Sequence, residues 1–297
     1  MRGWLSRCAA VVIAVVLVGI GAQPALAGDD KHGPGEHRQE RQYLALGDSV
    51  PFGFSPLVNP PAGAQYVGYP EKAAPRLKLA LTNASCPGQS SSGFISLTGT
   101  DNGCFRFRQV PGAMHVSYAG SQLDYAVDFL RSHPRTRLVT ITLGANDLFI
   151  CADNSTDQCA SELPGVLNDY EANLKKILQS IRRVYSGKLV ALTYYSPDYR
   201  DPVVTGSVAA INSVAARVVQ KFRGTTADGF SAFAGAAAAY DGDTCAAGLL
   251  IRVPDGSCNI HPNAVGAKLL ADTLTAAVTC DPVYRGREIQ DLLEAAN

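Results

Sequence analysis

The 297-residue chain has one tryptophan, Trp4, two methionines, and no excess of charge of either sign, with Lys plus Arg and Asp plus Glu at 26 each. A balanced charge leaves no electrostatic footprint for a polyanion, so no nucleic-acid partner is expected. A polysaccharide-binding module would carry tryptophans for stacking on sugar rings, and the single one lies in an N-terminal segment expected to be removed. There is no CxxC pair and no HExxH, so neither a zinc site nor any other metal or cofactor is expected. The GxSxG elbow of α/β-hydrolases is missing too. The longest apolar run, residues 8–20, falls short of the roughly 20 residues of a spanning helix. No internal repeat is present. What remains is a composition of 46% hydrophobic and 18% charged residues, enough for one full-sized core.

The N-terminus has the layout of a secretory signal: Arg2 and Arg7, the apolar run, then Pro24 and an "ALA" ending at Ala27. Residues 1–27 are therefore expected to be cleaved, leaving a secreted, extracellular protein with no stable membrane anchor. Residues 28–42, charged and containing Gly and Pro, read as a flexible leader, with His32 and His37 in solvent. Seven cysteines remain after cleavage, in a compartment where thiols oxidise. Spacing suits Cys86–Cys104 and Cys151–Cys159. Cys245–Cys258 is the next pairing, with Cys280 left over, although spacing alone leaves the partners among these three open.

β-Branched runs at 43–47, 137–143 and 188–194 alternate with helical spacing at 68–81, 120–131, 165–185, 203–223 and 262–278. Strands separated by such helices predict a mostly parallel sheet covered on both faces, an α/β domain over 43–285 followed by a tail over 286–297. Segments 82–119 and 224–260 read as long functional loops pinned by disulfides. Ligands of such sheets gather beyond the carboxyl ends of the strands. The first strand ends in "YLALGDSVPFG", which puts Ser49 at that rim.

A serine hydroxyl becomes a nucleophile only beside a base. His261 in "HPN", with a proline expected to open a helix, has the best setting among the five histidines; His115 and His133 lack a comparable one. Asn146, in "LGANDL" after the second run, can aim its amide into the same cleft. Gly88, in "NASCPGQSS", lets a backbone N–H approach a ligand closely. Asp48 and Asp147 invite a paired-carboxylate reading, but Asp48 is better placed to support the turn beside Ser49 and Asp147 to brace its own loop.

Together the blocks "ALGDSVPFG", "NASCPGQSSSGF", "TLGANDL" and "CNIHPN" resemble those of the SGNH, or GDSL, hydrolase family, in its order and over residues 45–263. The resemblance implies a flavodoxin-like three-layer α/β/α fold and ester hydrolysis through an acyl-enzyme. By that resemblance Ser49 is the nucleophile, His261 the base, and the oxyanion hole combines the N–H groups of Ser49 and Gly88 with the Asn146 side chain. The family usually places an acid three residues before the histidine, where this chain has Cys258. Two groups are candidates for orienting His261: the backbone carbonyl of Cys258, which is favoured, and Asp255. Phe52, Phe54, Leu57, Tyr66, Tyr69 and Leu148–Phe149–Ile150 could wall an acyl trough. The expected partner is a small-molecule or lipid ester, acted on by a monomer. A non-catalytic lipid- or polysaccharide-binding protein on the same fold is the rival reading.

Overall fold

A computed structural model describes residues 40–280. The expected signal segment, all but the last three residues of the leader, the end of the domain beyond 280 and the tail lie outside the described residues. Five parallel strands form the central sheet: β1 (Gln42–Gly47), β2 (Ala80–Asn83), β3 (Thr136–Thr142), β4 (Lys188–Leu192) and β5 (Thr225–Ala227). Their order is β2-β1-β3-β4-β5, and a separate antiparallel pair joins β6 (Leu250–Arg252) to β7 (Cys258–Pro262).

β1 is buried from Tyr43 to Gly47, as a parallel strand covered on both faces must be. The cover comes from helices. Helices α1 (Ser49–Phe52), α2 (Tyr69–Leu77), α3 (Ser91–Ile95), α4 (Cys104–Phe107) and α5 (Gln122–Ser132) belong to the first half. Helices α6 (Ala145–Asn154), α7 (Leu163–Val184), α8 (Pro202–Lys221), α9 (Gly229–Ala237) and α10 (Ala264–Thr279) follow. α7 buries Tyr170, Leu174, Ile177, Leu178 and Ile181, one stripe at helical spacing. α2, α9 and α10 pack together, while α5, α7 and α8 form a second group of neighbours. The order and the two helix groups give the expected three-layer α/β/α architecture.

Three differences from the sequence reading have simple physical causes. β2 and β5 were not anticipated, because strands of four and three residues are too short to display a period. The chain breaks out of α2 at Lys78, whose φ of 54° is left-handed, and enters β2 two residues later. Pro262 ends β7 instead of opening α10. Asn263 caps that helix, its Oδ1 accepting from the N–H groups of Val265 at 2.8 Å and Gly266 at 3.1 Å.

Bridges join Cys86–Cys104, Cys151–Cys159 and Cys245–Cys258. Cys280, left over by spacing, is also disulfide-bonded, and no free cysteine occurs among the described residues.

Candidate active site

The site starts where β1 stops. Gly47 has φ of 128°, and a Cβ there would lie 1.9 Å from the carbonyl oxygen of Thr142, so only glycine lets β1 and β3 end side by side. Asp48 follows as the N-cap of α1, its Oδ1 accepting from Val50 N–H at 3.0 Å. Ser49 is thus the first residue of a helical turn, where backbone N–H groups have no intrahelical acceptor. Asp48 is 1% exposed, and burial pushes its carboxyl up to about 7, against hydrogen bonds from Tyr194 Oη and Val50 N–H that act in the opposite direction.

His261 arrives on β7, 212 residues later, and its Nε2 lies 2.8 Å from Ser49 Oγ. The strand is held at both ends. Cys258 is bridged to Cys245, and Asn263 Nδ2 donates to the carbonyls of Gly248 at 2.8 Å and Leu250 at 2.9 Å. Between them Tyr195 Oη donates to Ile260 C=O at 2.6 Å. The Phe54 ring meets the imidazole edge-on with centroids 5.0 Å apart. Loss of hydration pushes the half-buried imidazole down to about 4.

At Nδ1 the structure differs from both sequence candidates. The acceptor there is Asn259 Oδ1 at 2.5 Å, and the same oxygen accepts His261 N–H at 3.1 Å. Asp255 is exposed, and its Oδ1 is taken by Ser257 N–H at 2.9 Å and Ser257 Oγ at 2.7 Å. Cys258 opens β7 opposite Arg252, and Nδ1 meets the Asn259 side chain instead of its carbonyl. The family pattern directs attention three residues before the histidine, whereas this asparagine stands two before it. An amide in an i−2 turn was the available signal.

Asn146 is buried near the start of α6, with Nδ2 donating to Gln89 C=O at 3.0 Å and lying 3.5 Å from Asp48 Oδ2. Its Oδ1 accepts from Asn102 Nδ2 at 3.0 Å. Gly88, one residue before that Gln89 carbonyl, has φ of 81° and leaves no space for a side chain: a Cβ would meet Asn102 C=O at 2.2 Å. Ser49, His261 and Asn146 line one cavity, and Gly88 is not among its lining residues. Asp147 points away, gripping Ser91 through its N–H at 2.9 Å and its hydroxyl at 2.5 Å. His115 bonds the Phe52 carbonyl at 2.9 Å, and His133 stacks on Phe129 at 4.0 Å, both far from this chemistry in role.

The cavity holds about 320 Å³, and beyond the catalytic candidates its walls are chiefly apolar. Leu148 and Phe149 belong to it as expected, but the opposite wall is α8, with Val203, Val204, Val208 and Ile211, together with Ile260. The other expected trough residues go elsewhere. Phe52, Tyr66 and Tyr69 are core, Leu57 is exposed, Phe54 braces His261, and Ile150 faces a separate groove. The α8 wall was readable as valines at 203, 204 and 208 at the solvent-facing start of an apolar helix.

The parallel sheet thus carries a serine–imidazole contact at its carboxyl rim, with a buried asparagine amide and an apolar cavity beside it. The sequence profile of the GDSL-like lipase/acylhydrolase family matches residues 45–269, and the chain belongs to that family. No curated protein matches it. Among solved structures it is similar to an extracellular lipase from Streptomyces rimosus, at 18% identity and TM-score 0.55 over 80% of this chain and 99% of that one. A phospholipase A1 from Streptomyces albidoflavus is similar at 19% identity and TM-score 0.55, with the same coverage. An acetylxylan esterase from Geobacillus stearothermophilus is similar at 17% and 0.51, over 80% and 92% of the chains. At these identities the likeness establishes the fold.

Proposed function

We propose that the protein is a secreted carboxylic ester hydrolase working through an acyl-enzyme on Ser49. The observation that carries the reading is the 2.8 Å contact between Ser49 Oγ and His261 Nε2 at the edge of an apolar cavity. His261 takes the hydroxyl proton as Oγ attacks the carbonyl carbon. The tetrahedral oxyanion is received by the Ser49 N–H, the Gly88 N–H and the Asn146 amide, whose one N–H is held by Gln89 C=O at 3.0 Å and whose other exchanges a long 3.5 Å contact with Asp48 Oδ2 for the oxyanion. Collapse expels the alkoxide, which takes the proton from His261, and water repeats the sequence in reverse to free the acid. The low basicity of the imidazole favours that return of the proton to the leaving group.

The cavity suggests the acyl part. An apolar cavity of about 150 Å³ takes a benzene-sized guest, so about 320 Å³ suits roughly twice as many carbons, a chain of ten to twelve. The disulfides and the likeness to an extracellular lipase support secretion. A fluorophosphonate probe and p-nitrophenyl esters test the reading together. The wild type should label and turn over, and Ser49→Ala should lose labelling and at least about 10³-fold in rate. A wild type inert to both reagents, or a Ser49→Ala variant with unchanged turnover, overturns it.

A further inference from the structure

We propose that the Asn259 side-chain amide, a neutral group, takes the place of the carboxylate in orienting His261, so that Ser49, His261 and Asn259 act as one relay. The proposal rests on the ester-hydrolase reading above for its kinetic consequences, but its structural content is independent of it. The argument begins with a backbone donor. His261 N–H can only donate, and it points at the Asn259 side-chain atom 3.1 Å away. That atom must therefore be the amide oxygen and not the nitrogen. The same oxygen lies 2.5 Å from Nδ1, so Nδ1 must carry the hydrogen. The proton on Nδ1 leaves Nε2 as the acceptor, and Nε2 is the nitrogen facing Ser49 Oγ at 2.8 Å. One backbone N–H thus fixes the amide, the amide fixes the tautomer, and the tautomer makes the imidazole a base toward Ser49.

Among the described residues no charge replaces the missing carboxylate. The position three residues before the histidine is Cys258, closed in a disulfide. On β6, Arg252 is exposed and donates to Gly256 C=O. On α10, Lys268 is paired with Asp272 at 2.8 Å. Asp255 is held by Ser257, and Asp48 lies behind Ser49, occupied by Tyr194 and Val50. Phe54 covers the ring edge. Burial alone then moves the imidazole, downward. A neutral orienter stabilises the imidazolium less than an aspartate does, but it keeps the base unprotonated into acid solution. The expected signature is ester hydrolysis that persists at a pH where a carboxylate-assisted histidine would already be protonated.

The test separates positioning from mere packing. In ¹⁵N-histidine NMR of the intact wild-type protein, His261 should show a hydrogen on Nδ1 in the neutral ring. Asn259→Leu, close in size, should lose that fixed tautomer and about 10²-fold or more in kcat with KM little changed. Asn259→Asp should keep the tautomer, restore activity at neutral pH, and move both the His261 titration and the acid limb of kcat/KM upward by at least one pH unit. Asp255→Ala serves as the control and should follow the wild type. If Asn259→Leu keeps its kcat within about twofold, or Asn259→Asp leaves the titration and acid limb in place, the proposal is wrong. Should Asn259→Leu not fold, Asn259→Asp and the wild-type spectrum decide the matter alone. A protein inert to fluorophosphonate would overturn the hydrolase reading, and the NMR tautomer would still decide the role of Asn259.

Discussion

Val208 stands half-buried on the α8 wall of the cavity that Leu148 and Phe149 also line, and Val208→Trp should shorten the acyl pocket. Each methylene moved from water into an apolar wall is worth about 0.8 kcal/mol, or about fourfold in kcat/KM if the chain is bound in the transition state. The wild type should therefore gain about fourfold per methylene from acetate upward, levelling off near ten to twelve carbons, where about 320 Å³ is full. An indole projecting into the cavity removes room for about four methylenes, so the dodecanoate-to-acetate ratio, read on a chain that fills the wild-type cavity, should fall by about 3 kcal/mol, or about 200-fold. The measurement is kcat/KM on a p-nitrophenyl ester series, read as ratios so that the amount of active enzyme cancels. A melting curve alongside should stay within a few degrees, because Val208 is not part of the fully buried core. If the ratio is unchanged, the chain does not lie against α8; if acetate falls in parallel, the substitution has damaged the site and not the pocket. Either result would refute the assignment of this wall to the acyl group.

Asp48→Asn should reshape stability against pH. Burial holds the Asp48 carboxyl at about 7, above the unfolded value of 3.8, so the folded chain binds that proton more tightly. The stability it contributes is complete below about pH 4 and is lost as pH rises through about 7, a span on the order of 4 kcal/mol. His261 works in the opposite sense, its folded value of about 4 lying below 6.5, so its contribution is present above 6.5 and lost as pH falls. Being common to both proteins, it cancels in the difference. Urea unfolding at pH 4 and 8 should show the gap between variant and wild type widening in favour of the variant at pH 8, and a gap that does not move with pH would contradict the burial argument. Removing the Cys245–Cys258 bridge with paired serines frees a loop of 13 residues, costing about 3 kcal/mol. In a domain of this size that should lower Tm by about 6–12 °C; an unchanged Tm would show that β7 is held by its hydrogen bonds alone.

Much of the site was legible because its chemistry is carried by residue type at fixed local spacing. Gly47-Asp48-Ser49 can be recognised as a strand end turning into a cap, and Asn146 likewise stands just past the end of a β-branched run. His261 beside a proline and an asparagine marks the start of an ordered element, although the structure puts Pro262 in the strand and gives the cap to Asn263. The long strands and helices were visible through their periods. β2 and β5, too short to show one, were visible only once pairing with β1 and β4 was in place.

The trough was not legible in this way, since it depends on which elements face one another, whereas the histidine's orienter had a local signal, Asn259 two residues before His261, that the family pattern passes over. Phe52, Tyr66 and Tyr69 have the composition of a lipid wall, but they are buried, Phe52 and Tyr66 against each other and Phe107, and the valines of α8 take that place because α8 packs beside α6. The amino-acid sequence by itself determined the longer elements, the three-layer class and the candidate serine, histidine and asparagine. Only the tertiary structure decided that Nε2 of residue 261 faces the hydroxyl of residue 49. Local periodicity is set by neighbours along the chain, whereas the Ser49–His261 contact brings together the start of α1 and β7, 212 residues apart, a separation that only packing of the whole core can close.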